Sequence, residues 1–178
     1  MGDISEPALS ELHYHNTMDD LNNNRRSTQP SNHQSEVERI ASELATDITY
    51  YLCGLRTSPI NHVSPTMRRV VEDILRRHEY RFNGIMSRLN DLTLDSAELT
   101  FMVVIREMFQ DGEVNWGRIA SIYAFAGRLA KDLSEKEHNT VEVAQTVAEM
   151  CSTVVVHSLK DWIQRQGGWV SESKDFLL

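Results

Sequence analysis

Residues 115–133 read NWGRIASIYAFAGRLAKDL, and this stretch decides the fold. Between Glu113 and Arg128 only Arg118 carries a charge, and from Ile119 to Ala130 the run is apolar nearly all round. A helix without a polar face has to be covered from several sides. Asn115 predicts an N-cap, with Trp116 and Gly117 in the first helical positions. The helix should reach about Leu133, giving roughly 28 Å at 1.5 Å per residue. That length approaches a hydrocarbon core of about 30 Å. Arg118, Arg128 and Lys131 would each be costly inside a bilayer, so the stretch reads first as a buried core helix.

The head of this helix is built against stability. Asp111-Gly112 turns the chain into it. Gly117 in the first turn costs about 0.5–1 kcal/mol relative to alanine. Arg118 places a cation at the positive end of the helix dipole. Two readings follow from the residues. Either the glycine admits a neighbouring helix of the same fold and the arginine meets an internal carboxylate, or both wait for an acidic partner helix at close approach.

The rest of the chain narrows the class. A length of 178 residues suits one domain with a single sizeable core. The 26 acidic residues against 18 basic ones give a formal charge of −8 and argue against nucleic-acid binding. Cys53 and Cys151 are too few for a disulfide framework or a zinc site, and read as buried thiols. The first thirty or so residues lack the apolar stretch of a signal peptide. No run reaches the roughly 18 apolar residues expected of a spanning helix. The final KDFLL is the kind of ending left when a hydrophobic tail is removed.

Residues 1–34 are rich in Asn, Ser, Asp and His without a period, and read as disordered or weakly ordered. The helical domain is expected over 35–178. Val37, Ile40, Leu44, Ile48, Tyr51 and Leu52 recur at helical steps, ending near Gly54. After Pro65, Met67, Val70, Val71, Ile74 and Leu75 share a face, with Arg68 and the other charges mostly elsewhere. The pattern runs on through Phe82, Ile85, Met86 and Leu89, with a break expected near Gly84. Another helix spans about 96–109, showing Leu99, Met102, Val103, Ile105, Met108 and Phe109. Residues 140–163 form a further helix, or two with a bend near His157. Gly167-Gly168 breaks the chain before a last segment from Trp169 to Leu178. These patterns predict an all-α globular bundle of seven or eight helices around a central apolar helix.

Chemistry-bearing motifs are scarce. The seven histidines form no HxxxH or HExxH pattern, and no phosphate loop exists. DGEVN fails as a calcium loop because Val114 and Trp116 stand where oxygens are needed. No cofactor and no enzyme activity is expected.

Three stretches carry a resemblance. NWGRI at 115–119, preceded by FQDG, resembles the first homology motif of the Bcl-two (B-cell-lymphoma-two) apoptosis regulators. DWIQRQGGW at 161–169 is similar to their second motif, and MRRVVEDILRRHEYRFNGIM at 67–86 to their third. The resemblance covers roughly 35–177 and implies a helical bundle with a hydrophobic surface groove. That groove takes an amphipathic helix, the killer helix of pro-apoptotic relatives. By this resemblance Arg118 pairs with the incoming aspartate, Asn115 hydrogen-bonds the same region, and Gly117 permits close backbone approach. Val104, Met108, Ser121 and Phe125 are implied as groove floor or wall, with Val70, His78, Phe82 and Ile85 opposite. Asp111 matches an acidic position that meets a basic residue of the ligand. A native tail, where one exists, would hold such a protein at the mitochondrial outer membrane or the endoplasmic reticulum, facing the cytoplasm.

The family holds survival proteins and membrane-perforating effectors on one fold. The third motif leans towards the myeloid-cell-leukaemia type of survival protein, whereas RQGGWV is similar to the Bak-type effector. Where the family's third motif has a small residue followed by aspartate, this chain has Val71-Glu72. An effector inserts that helix into another molecule's groove, and valine would crowd the contact. A survival protein needs it only as a wall. The expectation is therefore a survival protein, with a Bak-type effector as the alternative.

Overall fold

The computed structural model describes residues 35–169. The expectation for residues 1–34 and most of the segment after Trp169 lie outside them. Six helices follow in order, with no strand among the described residues: α1 (Glu36–Leu52), α2 (Ser64–Arg77), α3 (Glu79–Arg88), α4 (Leu94–Met108), α5 (Trp116–Ser134) and α6 (Thr140–Arg165).

The central helix is α5. Twelve of its 19 residues are buried, including Ile119, Ile122, Tyr123, Phe125, Leu129 and Leu133, so no continuous solvent face is left. α1, α2 and α6 enclose it, and α1 also packs along α6. Near-complete burial requires internal partners for polar groups. The Tyr123 hydroxyl accordingly donates to the Ala41 carbonyl at 3.2 Å. The α1–α5 crossing is close: a Cβ on Gly127 would lie 2.4 Å from Leu52 Cδ1 and 2.9 Å from Ile48 Cγ2. Glycine is the residue that lets these two helices approach.

The helix ends are specified locally. Ser35 and Glu38 form a capping box at α1, and the Glu38 carboxylate also receives Lys160 Nζ at 2.8 Å, tying the cap to α6. At the far end of α6, Gly167 and Gly168 take φ of 89° and 86°. The Gly168 amide donates to the Ile163 carbonyl at 2.9 Å, closing the helix. This reversal sets Trp169 against Trp116 at 5.6 Å, with its indole N–H on the Val37 carbonyl at 2.9 Å. Trp116 also meets Trp162 edge-on at 5.2 Å. Three tryptophans from two distant motifs thus seal one end of the bundle.

One buried ion pair positions α2. Asp47 of α1 is fully buried and Arg68 of α2 nearly so. The guanidinium donates through Nε to Asp47 Oδ2 at 2.7 Å and through Nη2 to Oδ1 at 2.9 Å. It also donates to the carbonyls of Thr57 and Ser58 at 2.6 and 3.1 Å, and stacks over the Tyr51 ring at 4.2 Å. Asp47 Oδ1 accepts the Ile60 amide at 3.0 Å as well. The α1–α2 loop and both helices are joined at one point.

Several expectations change. The helix count is six among the described residues, not seven or eight. α6 runs unbroken through His157, because no glycine or proline interrupts 140–165. The break in the third-motif region falls at His78 rather than Gly84, with φ −114° and ψ 22° there. Gly84 stays helical because a single glycine penalty of about 1 kcal/mol is outweighed when Phe82 and Met86 are buried around it. Arg68 is inside, not with the outward charges. Cys53 is only half-buried, whereas Cys151 is buried.

Replacing Arg68 by methionine should strand the Asp47 charge and lower unfolding free energy by about 3–5 kcal/mol. Adding Asp47→Asn should recover part of that loss. Urea denaturation of both variants measures it, and a loss below about 1 kcal/mol in the single variant would show that the pair does not hold α2.

Candidate functional site

The head of α5 is built from a turn and a cap. Gly112, at φ 75°, lets the chain reverse after Phe109, and the Gly112 amide donates to the Phe109 carbonyl at 2.9 Å. Asn115 is extended, and its Oδ1 accepts the Arg118 amide at 2.9 Å, as its N-cap reading predicts. Gly117 is exposed, and a Cβ there would meet only Asn115 Oδ1, at 3.3 Å. No neighbouring helix among the described residues requires glycine at this position. One half of the internal reading therefore falls away.

The other half stands. Arg118 reaches back over the turn, and both its terminal nitrogens bond the two oxygens of Asp111. Nη1 also donates to the Glu113 carbonyl at 2.9 Å. The Asp111 carboxylate is held by the Glu113 amide at 3.0 Å. The Arg118 hydrogen bond, helped by that amide, keeps the Asp111 carboxyl well below the usual carboxylate range, and Asp111 in turn raises Arg118. Asp111, expected to face a basic residue of a ligand, faces Arg118 in this structure.

The remaining expected residues lie on three elements around α5. Val70 of α2 and Ile85 of α3 are half-buried; His78, at the α2–α3 junction, is exposed, and Phe82 is buried. Val104 and Met108 stand one turn apart on α4, both half-buried against the core. Ser121 donates its hydroxyl to the Gly117 carbonyl at 2.8 Å, so it is satisfied within α5. Phe125 continues the stripe Gly117–Ser121–Phe125 but is only 1 % exposed, stacked on Phe101 at 5.5 Å. α2, α3 and α4 each pack on α5, with no substantial contact between α3 and α4. The arrangement is an apolar strip with covered aromatics in its floor and one cation at its end.

Sequence reasoning missed a concavity that the structure does show. A cavity of 440 Å³ lies on another flank of α4, against α6, lined by Leu99, Met102, Val103, Phe109, Val154 and Leu159 among others. It shares no residue with the expected groove. Leu99 is 75 % exposed and Met102 50 %, so the buried face of α4 is instead Ala97, Phe101 and Ile105. The signal was present: 99–105 carries too many apolar residues for one helix face. Burial pushes both the Cys53 and Cys151 thiols up, away from the thiolate form.

Residues 67–169 match the family of apoptosis regulator proteins designated the Bcl-2 family. Bcl-2-like protein 1 of Homo sapiens is 32% identical over 111 residues, covering 62% of this chain and 46% of the relative. Apoptosis regulator R11 of Xenopus laevis is 29% identical over 107 residues, 60% of this chain and 50% of its own. The chain thus spans about half the length of these relatives. Among solved structures, the zebrafish pro-survival protein NRZ in complex with Bad BH3 superposes with a TM-score of 0.68 at 26% identity. That match covers 75% of this chain and 89% of NRZ. NRZ alone gives 0.63 at the same identity, over 76% and 89%.

The Asp111–Arg118 pairing fixes a titration. A carboxyl whose folded value is depressed stays ionised until pH falls through that lowered value, so the pair persists across the neutral range. Carbon-detected NMR should find Asp111 titrating below its ordinary 3.8, and Arg118→Ala should return it towards 3.8. A wild-type midpoint at or above 3.8 would contradict the pairing.

Proposed function

The chain belongs to the Bcl-2 family of apoptosis regulators, and from that premise we propose that it is a survival member. In this reading it holds the amphipathic killer helix of pro-apoptotic relatives in a groove between α2–α3 and α4–α5. The observation that carries the proposal is the exposed backbone of Gly117, with space above it, beside the Arg118 guanidinium. A Cβ there would press only on the cap oxygen of Asn115, so no neighbouring helix needs the glycine, whereas an incoming helix backbone could use the space.

Val70, His78, Phe82 and Ile85 would form one wall and Val104 and Met108 the other, over Ser121 and Phe125. Arg118 would take the ligand's carboxylate, and the Asn115 amide nitrogen could donate beside it while Oδ1 remains the cap. Four apolar anchors at about 1.5–3 kcal/mol each give roughly 6–12 kcal/mol gross. Association and ordering of a disordered ligand consume a comparable amount. The charged pair therefore supplies register as well as affinity. Since Phe82 and Phe125 are covered in the free chain, seating the anchors requires the α3 and α4 flanks to part. α3 suits that movement: it has ten residues and no side-chain cap at its start.

The survival reading over the effector one rests on how α2 is held. Its Met67 and Val71 are 0 % and 1 % exposed, Arg68 is locked to Asp47, and Glu72 receives the Tyr51 hydroxyl at 2.5 Å. Releasing α2 for insertion elsewhere would leave a fully buried aspartate without its cation. As a fixed wall, α2 keeps every one of these contacts. The proposed place of action is the cytoplasmic side of the mitochondrial outer membrane. No helix among the described residues is long and apolar enough to cross a membrane.

Calorimetric titration of the full chain with a Bad BH3 peptide should give a dissociation constant at or below about 1 μM. Arg118→Ala should weaken it by about 30-fold or more. Dye-loaded liposomes should stay intact with protein and peptide together. Peptide-triggered release would make the chain an effector, and absence of binding would remove the groove reading.

A further inference from the structure

We propose that Asp111 occupies Arg118 in advance of the ligand, as an internal carboxylate that the incoming helix's carboxylate must displace. The inference rests on the groove reading above and adds a selection step to it. Arg118 engages three acceptors from the turn before its own helix: both Asp111 oxygens and the Glu113 carbonyl. A guanidinium has five N–H donors in a planar fork. Three are used, which leaves Nε–H and one hydrogen of Nη2. The Nη1–Nη2 edge is closed to a second carboxylate while Asp111 stays.

Sharing the guanidinium is disfavoured by charge. Asp111 is paired with the cation, and the charge of Glu113 adds to the field that raises it. A ligand carboxylate on the remaining edge would bring a third negative charge to one positive one. Departure of Asp111 resolves this, and the geometry permits it. The Asp111 side chain is 56% exposed and Arg118 27%, so the pair sits at the surface, where water can replace either partner. The Glu113 amide holds Asp111 in the turn, so the carboxylate is presented by the backbone with little side-chain freedom to lose.

The consequence is discrimination. A helix bearing its carboxylate in register exchanges one charged pair for another and frees Asp111 to meet water or a basic ligand residue. A helix lacking that carboxylate leaves the internal pair intact and gains nothing from Arg118. Asp111 is thus a specificity-determining residue, and its effect has the opposite sign from that of an acidic residue that merely attracts a basic ligand.

The test is a double-mutant cycle read by calorimetry. Wild type and Asp111→Asn are each titrated with a Bad BH3 peptide and with a version whose groove-facing aspartate is changed to asparagine. Asparagine can still accept the Glu113 amide, so the turn is preserved, and thermal melts of the free proteins check that it is. Exposed ion pairs have the strength to make Asp111→Asn tighten the aspartate peptide about two- to fivefold more than the asparagine peptide. An equal effect on both peptides, or a greater loss for the aspartate peptide, overturns the inference while leaving the groove reading in place. Failure of wild type to bind either peptide removes the groove reading itself, and the inference with it.

Discussion

The structure depends on the desolvation of α5. A helix that is apolar on nearly every side has no stable surface position, so the chain has to supply cover all round it. α1 supplies it through the close crossing at Gly127, α6 through its long apolar face, and α2 through Met67 and Val71. Burying α5 also dictates where it can communicate with solvent. From Ile122 to Gly127 it is closed, and at its head Asn115, Gly117 and Arg118 come to the surface beside the 109–114 turn. The proposed partner site lies there, where a cation and an exposed glycine occur side by side.

α2 holds the second constraint. Its apolar residues face the core while Arg68, on an adjoining face, enters a buried pair with Asp47. Such pairs contribute modestly to net stability but are expensive to break from one side. The pair therefore acts less as glue than as registration, fixing where α2 lies along α1. Val70 of α2 inherits that register, and α3, which begins one residue after α2 ends, inherits the position from which it crosses α5. A wall set this way can flex at α3 without the first helix pair coming apart.

Features written in local chemistry were legible in the sequence. The Asn115 cap, the chain break at Gly167-Gly168 and the apolar circumference of α5 each follow from a few adjacent residues. Features set by distant partners were not. Arg68 reads as one of several surface charges because Asp47 lies 21 residues earlier. The break at His78 instead of Gly84 is decided by how Phe82 and Met86 pack, which overrides a small local penalty. On α4 the apolar residues outnumber one face, so the sequence could not say which would be buried. The candidate site shows the same division. An internal carboxylate for Arg118 was one of two readings, but Asp111 had been given to the ligand. The idle space over Gly117 needed the surrounding helices to be placed.

In the proposed groove, the covered floor and the occupied arginine would make recognition depend on two conditions at once. Apolar anchors alone gain burial only after parting α3 from α4, and they leave the Asp111–Arg118 pair unchanged. A carboxylate alone replaces Asp111 with an equivalent group at a surface where such pairs are weak, and gains almost nothing. When both arrive on one rigid helix, opening the floor brings the ligand backbone down over Gly117. The pair then forms in a place from which water is being excluded, where it is stronger than the one it replaced. On this proposal the internal pair would be lost at the surface and the new one made under cover. That difference in dielectric, rather than any difference in the partners' charges, is what would let a site with its own carboxylate still prefer another's.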